Sequence, residues 1–320
     1  LVLGLGSWRL LFILVFPIAA VVGFLGLRKL ENIGEPKISS IDWFSVTVAA
    51  LGFGGLVYGL SLFSDPHSPI ALNIGIIVGG VVAITVFVLR QLKLQRGGTP
   101  LMDLRTLKHR AYWLSLASMA IGFMAMMGSM ILLPIYLQNV RGLSPFITGL
   151  LVMPGGLAMG LLGPTAGRVF DRYGTRPLVL PGSIGMVLAL AGFTQLSATM
   201  PYWQILGLHV LLMISLAAAF TPLFTLGMGA LPPNLYSHGS SMLGTLQQVA
   251  AAFGTALVIT VMSAHTTQLV STGTALEAAK ISGMQLAFIV ATALALVTIP
   301  LAIRLPKRPE NTEGAPHPSH

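Results

Sequence analysis

The chain has 320 residues, of which 54% are hydrophobic and only 8% charged, and its formal net charge is +9. Soluble globular domains carry roughly 25% charged residues, so a surface this poor in charge cannot face water everywhere, and a water-soluble protein is excluded. The chain has no cysteine, which excludes disulfide frameworks and thiolate-held metals.

The chain opens inside an apolar run, Leu1-Val2-Leu3, with no basic leader and no clean cleavage site. This reads as the tail of a preceding helix rather than a signal peptide, and the expectation is an N-terminally shortened product. A helix needs about 20 mostly apolar residues to cross a bilayer. Nine segments meet that condition in chain order: 10–27, 43–63, 70–89, 112–138, 146–166, 178–197, 203–230, 241–264 and 283–303. The runs are continuously apolar and too long for alternating strands, which excludes a β-barrel. Glycine and proline fall inside them, as membrane helices tolerate. Leu101, Leu104 and Leu107 predict an interfacial helix before the fourth span. The polar, proline-containing stretch from Arg304 is expected to be disordered over 306–320. The fold class is therefore an all-α polytopic membrane protein.

Orientation follows from the basic residues, which concentrate in cytoplasmic loops. If the connection after the first span is cytoplasmic, only Arg9, Arg141 and Lys280 of the 18 Lys and Arg lie outside. This places the C-terminus in the cytoplasm and accounts for the basic pI. Nucleic-acid binding is excluded as the meaning of that charge, because the cations are spread over short loops without interleaved aromatics.

One connection carries ordered chemistry: Gly167-Arg168-Val169-Phe170-Asp171-Arg172-Tyr173-Gly174-Thr175-Arg176. The glycines allow a tight turn. Asp171 can meet the partial positive charge of a helix N-terminus, and Arg172 and Arg176 can pair with carboxylates or helix C-termini. The loop G-x-x-x-D-R-x-G-x-R can thus latch one helical bundle to another.

This loop resembles the signature loop of the major facilitator superfamily. Other segments are similar to the fourteen-helix drug:proton antiporter branch of that superfamily. Ser7-Trp8-Arg9-Leu10-Leu11-Phe12 with Pro17 resembles the start of its sixth helix, and Pro100-Leu101-Met102-Asp103-Leu104-Arg105 the segment before its ninth. Leu133-Pro134-Ile135-Tyr136-Leu137-Gln138, followed by Gly142, Ser144, Pro145, Gly149 and Pro154, resembles its ninth-to-tenth hairpin. His238-Gly239-Ser240-Ser241, Thr245-Leu246-Gln247-Gln248 and Gly254-Thr255-Ala256 resemble the start of its thirteenth, most nearly in the lincomycin-resistance-type subgroup. The resemblance implies a major facilitator fold. Residues 1–30 would be the last helix of an N-terminal bundle, 31–98 an inserted helix pair, 99–305 the C-terminal six-helix bundle and 306–320 a cytoplasmic tail. It implies a secondary active exporter of drug-like molecules, coupled to protons, in a bacterial plasma membrane, completed by an N-terminal bundle. A periplasmic or outer-membrane partner is left undetermined. An importer of nutrients in the same superfamily is the alternative, and it would be expected to carry more polar cavity residues.

All nine carboxylates fall in loops, at helix boundaries or in the tail, whereas a proton-coupled carrier needs a group that titrates inside its cavity. The resemblance implies that such carboxylates lie in the N-terminal bundle. His209, roughly 9 Å into its helix at about 1.5 Å per residue, is either a contributor or a packing histidine bonded to a carbonyl. Gln247 and Gln248 point about 100° apart, so one packs between helices while the other can face the cavity. Tyr136 and Gln138 line the outer mouth or anchor the interface. Met119, Met124, Met126, Met127 and Met130 supply adaptable drug contacts or simple packing, and Ala250, Gly254 and Ala256 a close helix contact. No metal-ligand cluster, phosphate loop or nucleophile triad is present in the sequence, so neither an enzyme nor a cofactor is expected.

Overall fold

The structure is a computed structural model that describes residues 9–29, 42–64, 68–97 and 100–308. Ten α-helices account for it: α1 (Arg9–Lys29), α2 (Trp43–Ser61), α3 (Ile70–Gly97), α4 (Arg110–Asn139), α5 (Pro145–Tyr173), α6 (Arg176–Phe193), α7 (Tyr202–Gly229), α8 (Tyr236–Ser271), α9 (Leu276–Leu296) and α10 (Thr298–Arg304). There is no strand among the described residues. In a bilayer each backbone N–H and C=O must be satisfied within its own segment, which is why apolar runs of this length become helices.

Among the described residues eight helices are long and apolar enough to cross a membrane, counting α9 and α10 as one. The first expected span, 10–27, falls on α1, a helix of 21 residues. The last span is broken where one helix was expected. Pro300 cannot donate to the carbonyl four residues back, and Val297 turns back to Leu294 while the Thr298 hydroxyl bonds the Ala295 carbonyl at 2.6 Å. The start of the chain and residues 309–320 lie outside the described residues. Residues 306–308 are held against the bundle, so the tail expected to be disordered from 306 onwards is ordered at its root.

Helix starts follow local chemistry. Asp42 caps α2 by accepting from the Ser45 N–H at 3.3 Å, and Ser144 caps α5 by accepting from the Ile147 N–H at 3.3 Å, with Pro145 in the first turn. The expected interfacial helix around Leu104 is instead a five-residue 3-10 turn, Leu104–Lys108. The buried Asp103 carboxylate caps it, accepting from the Arg105 N–H at 2.9 Å and from its guanidinium at 2.6 Å.

Helices α4 to α10 form one bundle. α4 is its axis and packs on α7, α8 and α9; α6 packs on α7 and α9, and α5 mainly on α7. Two apolar clusters fill it. One surrounds Leu132, Tyr136, Phe193 and Phe288, whose last two rings stack at 5.0 Å. The other surrounds Tyr112, Leu226, Leu231 and Leu305. Close approach is bought by glycine: a Cβ on Gly254 of α8 would lie 2.6 Å from the Met124 Cα of α4. Helices α2 and α3 pair with each other, and α2 leans on α8, where Thr260 donates to the Leu60 carbonyl at 3.2 Å. A partly buried polar chain ties this pair to the turn before α4. Arg90 grips Asp42 at 2.8 and 3.0 Å, Gln91 joins Ser45 to the Met102 N–H, and Gln95 donates to Asp103 at 2.7 Å.

Candidate functional site

The latch loop begins within α5. Gly167 to Tyr173 are its last two turns, and Arg176 is the first residue of α6. Only Gly174 and Thr175 lie between. Gly174 takes φ 81° and ψ −163°, a region essentially closed to residues with a Cβ. A Cβ there would also run into the Lys307 carbonyl oxygen. Thr175 is fully buried and donates both its N–H (3.1 Å) and its hydroxyl (3.2 Å) to that same carbonyl. Arg308 in turn donates to the Arg172 carbonyl at 3.3 Å. The turn is therefore clasped by the segment that follows α10.

Arg168, Asp171, Arg172 and Arg176 are all exposed. Among the described residues the ion pairs are Asp42–Arg90 and Asp103–Arg105, so the Asp171 carboxylate pairs with none of its neighbouring arginines. It lies in the last turn of its own helix, where the dipole disfavours an anion. Arg105 and its hydrogen bonds hold the Asp103 carboxyl below the usual carboxylate range.

The other candidates separate. Tyr136 is fully buried and lines neither of the two clefts described below. It sits in a clamp that closes the far end of the bundle, donating to the Ser197 carbonyl at 2.6 Å and accepting from Arg141 at 3.1 Å. Arg141 also reaches the Met200 carbonyl and stacks over Tyr202 at 4.5 Å. That role was invisible because both acceptor carbonyls are backbone groups some sixty positions away. Gln138 is half-buried at the same end. His209 is buried against Gly155 of α5, its ring facing the Val152 backbone, and its Nδ1 has no partner. It packs two helices and lines none of the clefts described below.

The two glutamines of α8 divide as their 100° offset requires. Gln247 is half-buried, and Gln248 is exposed in a cleft of about 470 Å³ between α2, α4 and α8. Val57, Ser61, Met127, Ala252, Thr255 and Ile259 line the same cleft. Of the methionines, Met119 and Met126 are core, whereas Met127 faces this space. A second cleft of about 570 Å³ opens between α7 and α8 at Phe224, Met228, Tyr236 and Ser240. Of these, only Ser240 fell in a motif quoted from the sequence; the cleft follows from the scarcity of contact between α7 and α8.

A bundle of bilayer-length helices, with a two-residue turn between charged helix ends and apolar clefts along one helix, defines a polytopic membrane protein of the carrier type. The chain belongs to the Major Facilitator Superfamily, whose description matches residues 1–255. It is 39% identical to the lincomycin resistance protein LmrB of Listeria monocytogenes over 259 residues, covering 81% of this chain and 54% of that protein. It is 35% identical to the uncharacterized MFS-type transporter YcnB of Bacillus subtilis over 312 residues, covering 97% and 65% respectively. The chain thus spans about half to two-thirds of the length of these relatives. The crystal structure of a bacterial homologue of the human lysosomal transporter Spinster, inward-facing and occupied, shares the fold at 14% identity. Its TM-score is 0.50, with 80% of this chain and 66% of that one covered.

Proposed function

We propose that the chain is part of a secondary transporter that exports drug-like, amphipathic small molecules in exchange for protons by alternating access. The observation that carries this is the cleft between α2, α4 and α8. Its wall is apolar and adaptable, from Met127, Val57 and Ile259, with Gln248, Ser61 and Thr255 as sparse polar groups. Ligand sites for amphipathic molecules have this composition. The resistance named for the Listeria relative supports a drug as cargo.

Alternating access takes two bundles facing one cavity, and the greater length of the relatives has room for the second. The exposed Asp171 is the group on this bundle that would latch to a helix N-terminus of the other. A contact made in one state and lost in the other is what biases a two-state equilibrium. No carboxylate lies mid-span among the described residues, so coupling protons are assigned to the second bundle. The setting is a bacterial plasma membrane with the C-terminus in the cytoplasm.

Inverted membrane vesicles from cells expressing the gene that carries this chain provide the test. Respiration-driven accumulation of a labelled lincosamide, collapsed by a protonophore, is the expected result. Vesicles that accumulate no more drug than vesicles without the gene would contradict the proposal.

A further inference from the structure

Two stretches far apart in sequence meet at one end of the bundle. The clasp of Lys307 on Thr175, with Arg308 on the Arg172 carbonyl, brings Arg172 and Arg176 beside Arg304, Lys307 and Arg308. All five side chains are exposed. Asp171 is the one carboxylate of that turn, and among the described residues none of the five cations has an ion-pair partner. Neutral backbone bonds hold the group together, and among the described residues no ion pair offsets its mutual repulsion.

The surface next to this cluster is apolar and uncovered. Ile303 is 57% exposed one residue before Arg304. Leu296 and Val297, together with Ile184 and Leu188 of α6, are also exposed in the helices below. Tyr173, 60% exposed at the end of α5, is the aromatic type found at the membrane–water boundary. An anion that fits must offer negative charge at the helix ends and hydrocarbon alongside them. Free phosphate and nucleic acid offer only the first.

We propose that this clasped basic cluster is a binding site for the phosphate headgroups of anionic phospholipids, with their acyl chains lying along Ile303, Val297 and the outer face of α6. Juxtamembrane groups of four to eight cations recognise anionic lipid in this way. The site depends on the clasp, since without it the tail cations would not stand beside Arg172 and Arg176.

The 320-residue chain is reconstituted in nanodiscs of phosphatidylcholine containing a minor fraction of phosphatidylglycerol, and the lipids retained through purification are counted by native mass spectrometry. The expected result is enrichment of phosphatidylglycerol that falls about fivefold for each cation removed in Arg304→Gln, Lys307→Gln and Arg308→Gln. Lys93→Gln, Arg96→Gln and Lys108→Gln, exposed cations at the end of α3 and in the turn before α4, should leave it unchanged. Equal losses from both sets would reduce the effect to bulk charge and overturn the site. So would inorganic phosphate competing phosphatidylglycerol off at equal concentration, because the acyl contacts would then contribute nothing. Neither readout depends on transport, so the result stands apart from the proposed export.

Discussion

Gly174→Ala perturbs the point on which the latch loop and the C-terminal segment both depend. Placing a Cβ at φ 81° and ψ −163° costs about 1–3 kcal/mol in backbone strain. The Cβ also occupies the position of the Lys307 carbonyl oxygen, which must withdraw. Its withdrawal breaks both bonds from Thr175, worth about 1 kcal/mol each, and leaves two buried donors unmade. The total is about 3–5 kcal/mol, concentrated on one turn. It should appear as release of the tail, with trypsin cleaving after Lys307 far faster than in the wild type, and as a lowered unfolding midpoint in mixed micelles. Gly156→Ala is the control. That glycine lies within α5 with open space where its Cβ would stand, so the change should be neutral or stabilising by up to about 1 kcal/mol. Wild-type tail protection in Gly174→Ala would refute the reasoning, since either the strain or the clasp would then be absent.

Three further outcomes follow from the packing and the charges. Gly254→Ala forces α8 away from the Met124 backbone of α4 and should destabilise the bundle by about 1–3 kcal/mol, measured by reversible unfolding in mixed micelles. Asp103→Asn removes the charge that Arg105 holds and should destabilise the α3–α4 junction by about 1–3 kcal/mol. Because the folded carboxyl is held below its ordinary value, the wild type keeps this contribution above about pH 3.9 and loses it as pH falls through the depressed value. Hydrogen exchange of residues 100–108 in the variant should therefore lack that acid-dependent rise. For orientation, the sequence has no cysteine of its own, so cysteines at Thr199 and Thr272 should react with an impermeant thiol reagent from outside, and a cysteine at Tyr173 should not. Tyr173 is exposed at the end of α5.

The spans were legible because backbone satisfaction in a bilayer leaves a long apolar run one solution. Their ends were not. α8 runs from Tyr236 to Ser271, well past the apolar stretch 241–264, because helix geometry continues wherever polar side chains find partners. At its far end His265 meets Ser282 at 3.1 Å and Thr266 bonds the Met262 carbonyl. The tight turn between α5 and α6 could be read from its residues, with glycine at 174. Its clasp could not, because the acceptor is a main-chain carbonyl and any residue at 307 would supply one. The same holds for Tyr136, whose partner is the Ser197 carbonyl. The division between Gln247 and Gln248 was foreseeable from helix geometry alone, but which of them faces the cleft depends on where α2 and α4 lie.

In the proposed transporter the cleft at Gln248 belongs to the transport route. A single cysteine at Gln248, in the functional transporter with no other cysteine, tests it most directly through its rate of reaction with a thiol reagent. A transported drug should slow labelling in proportion to its occupancy, and labelling should switch sides of the membrane when a proton gradient is imposed. Labelling that is indifferent to both drug and gradient would contradict it.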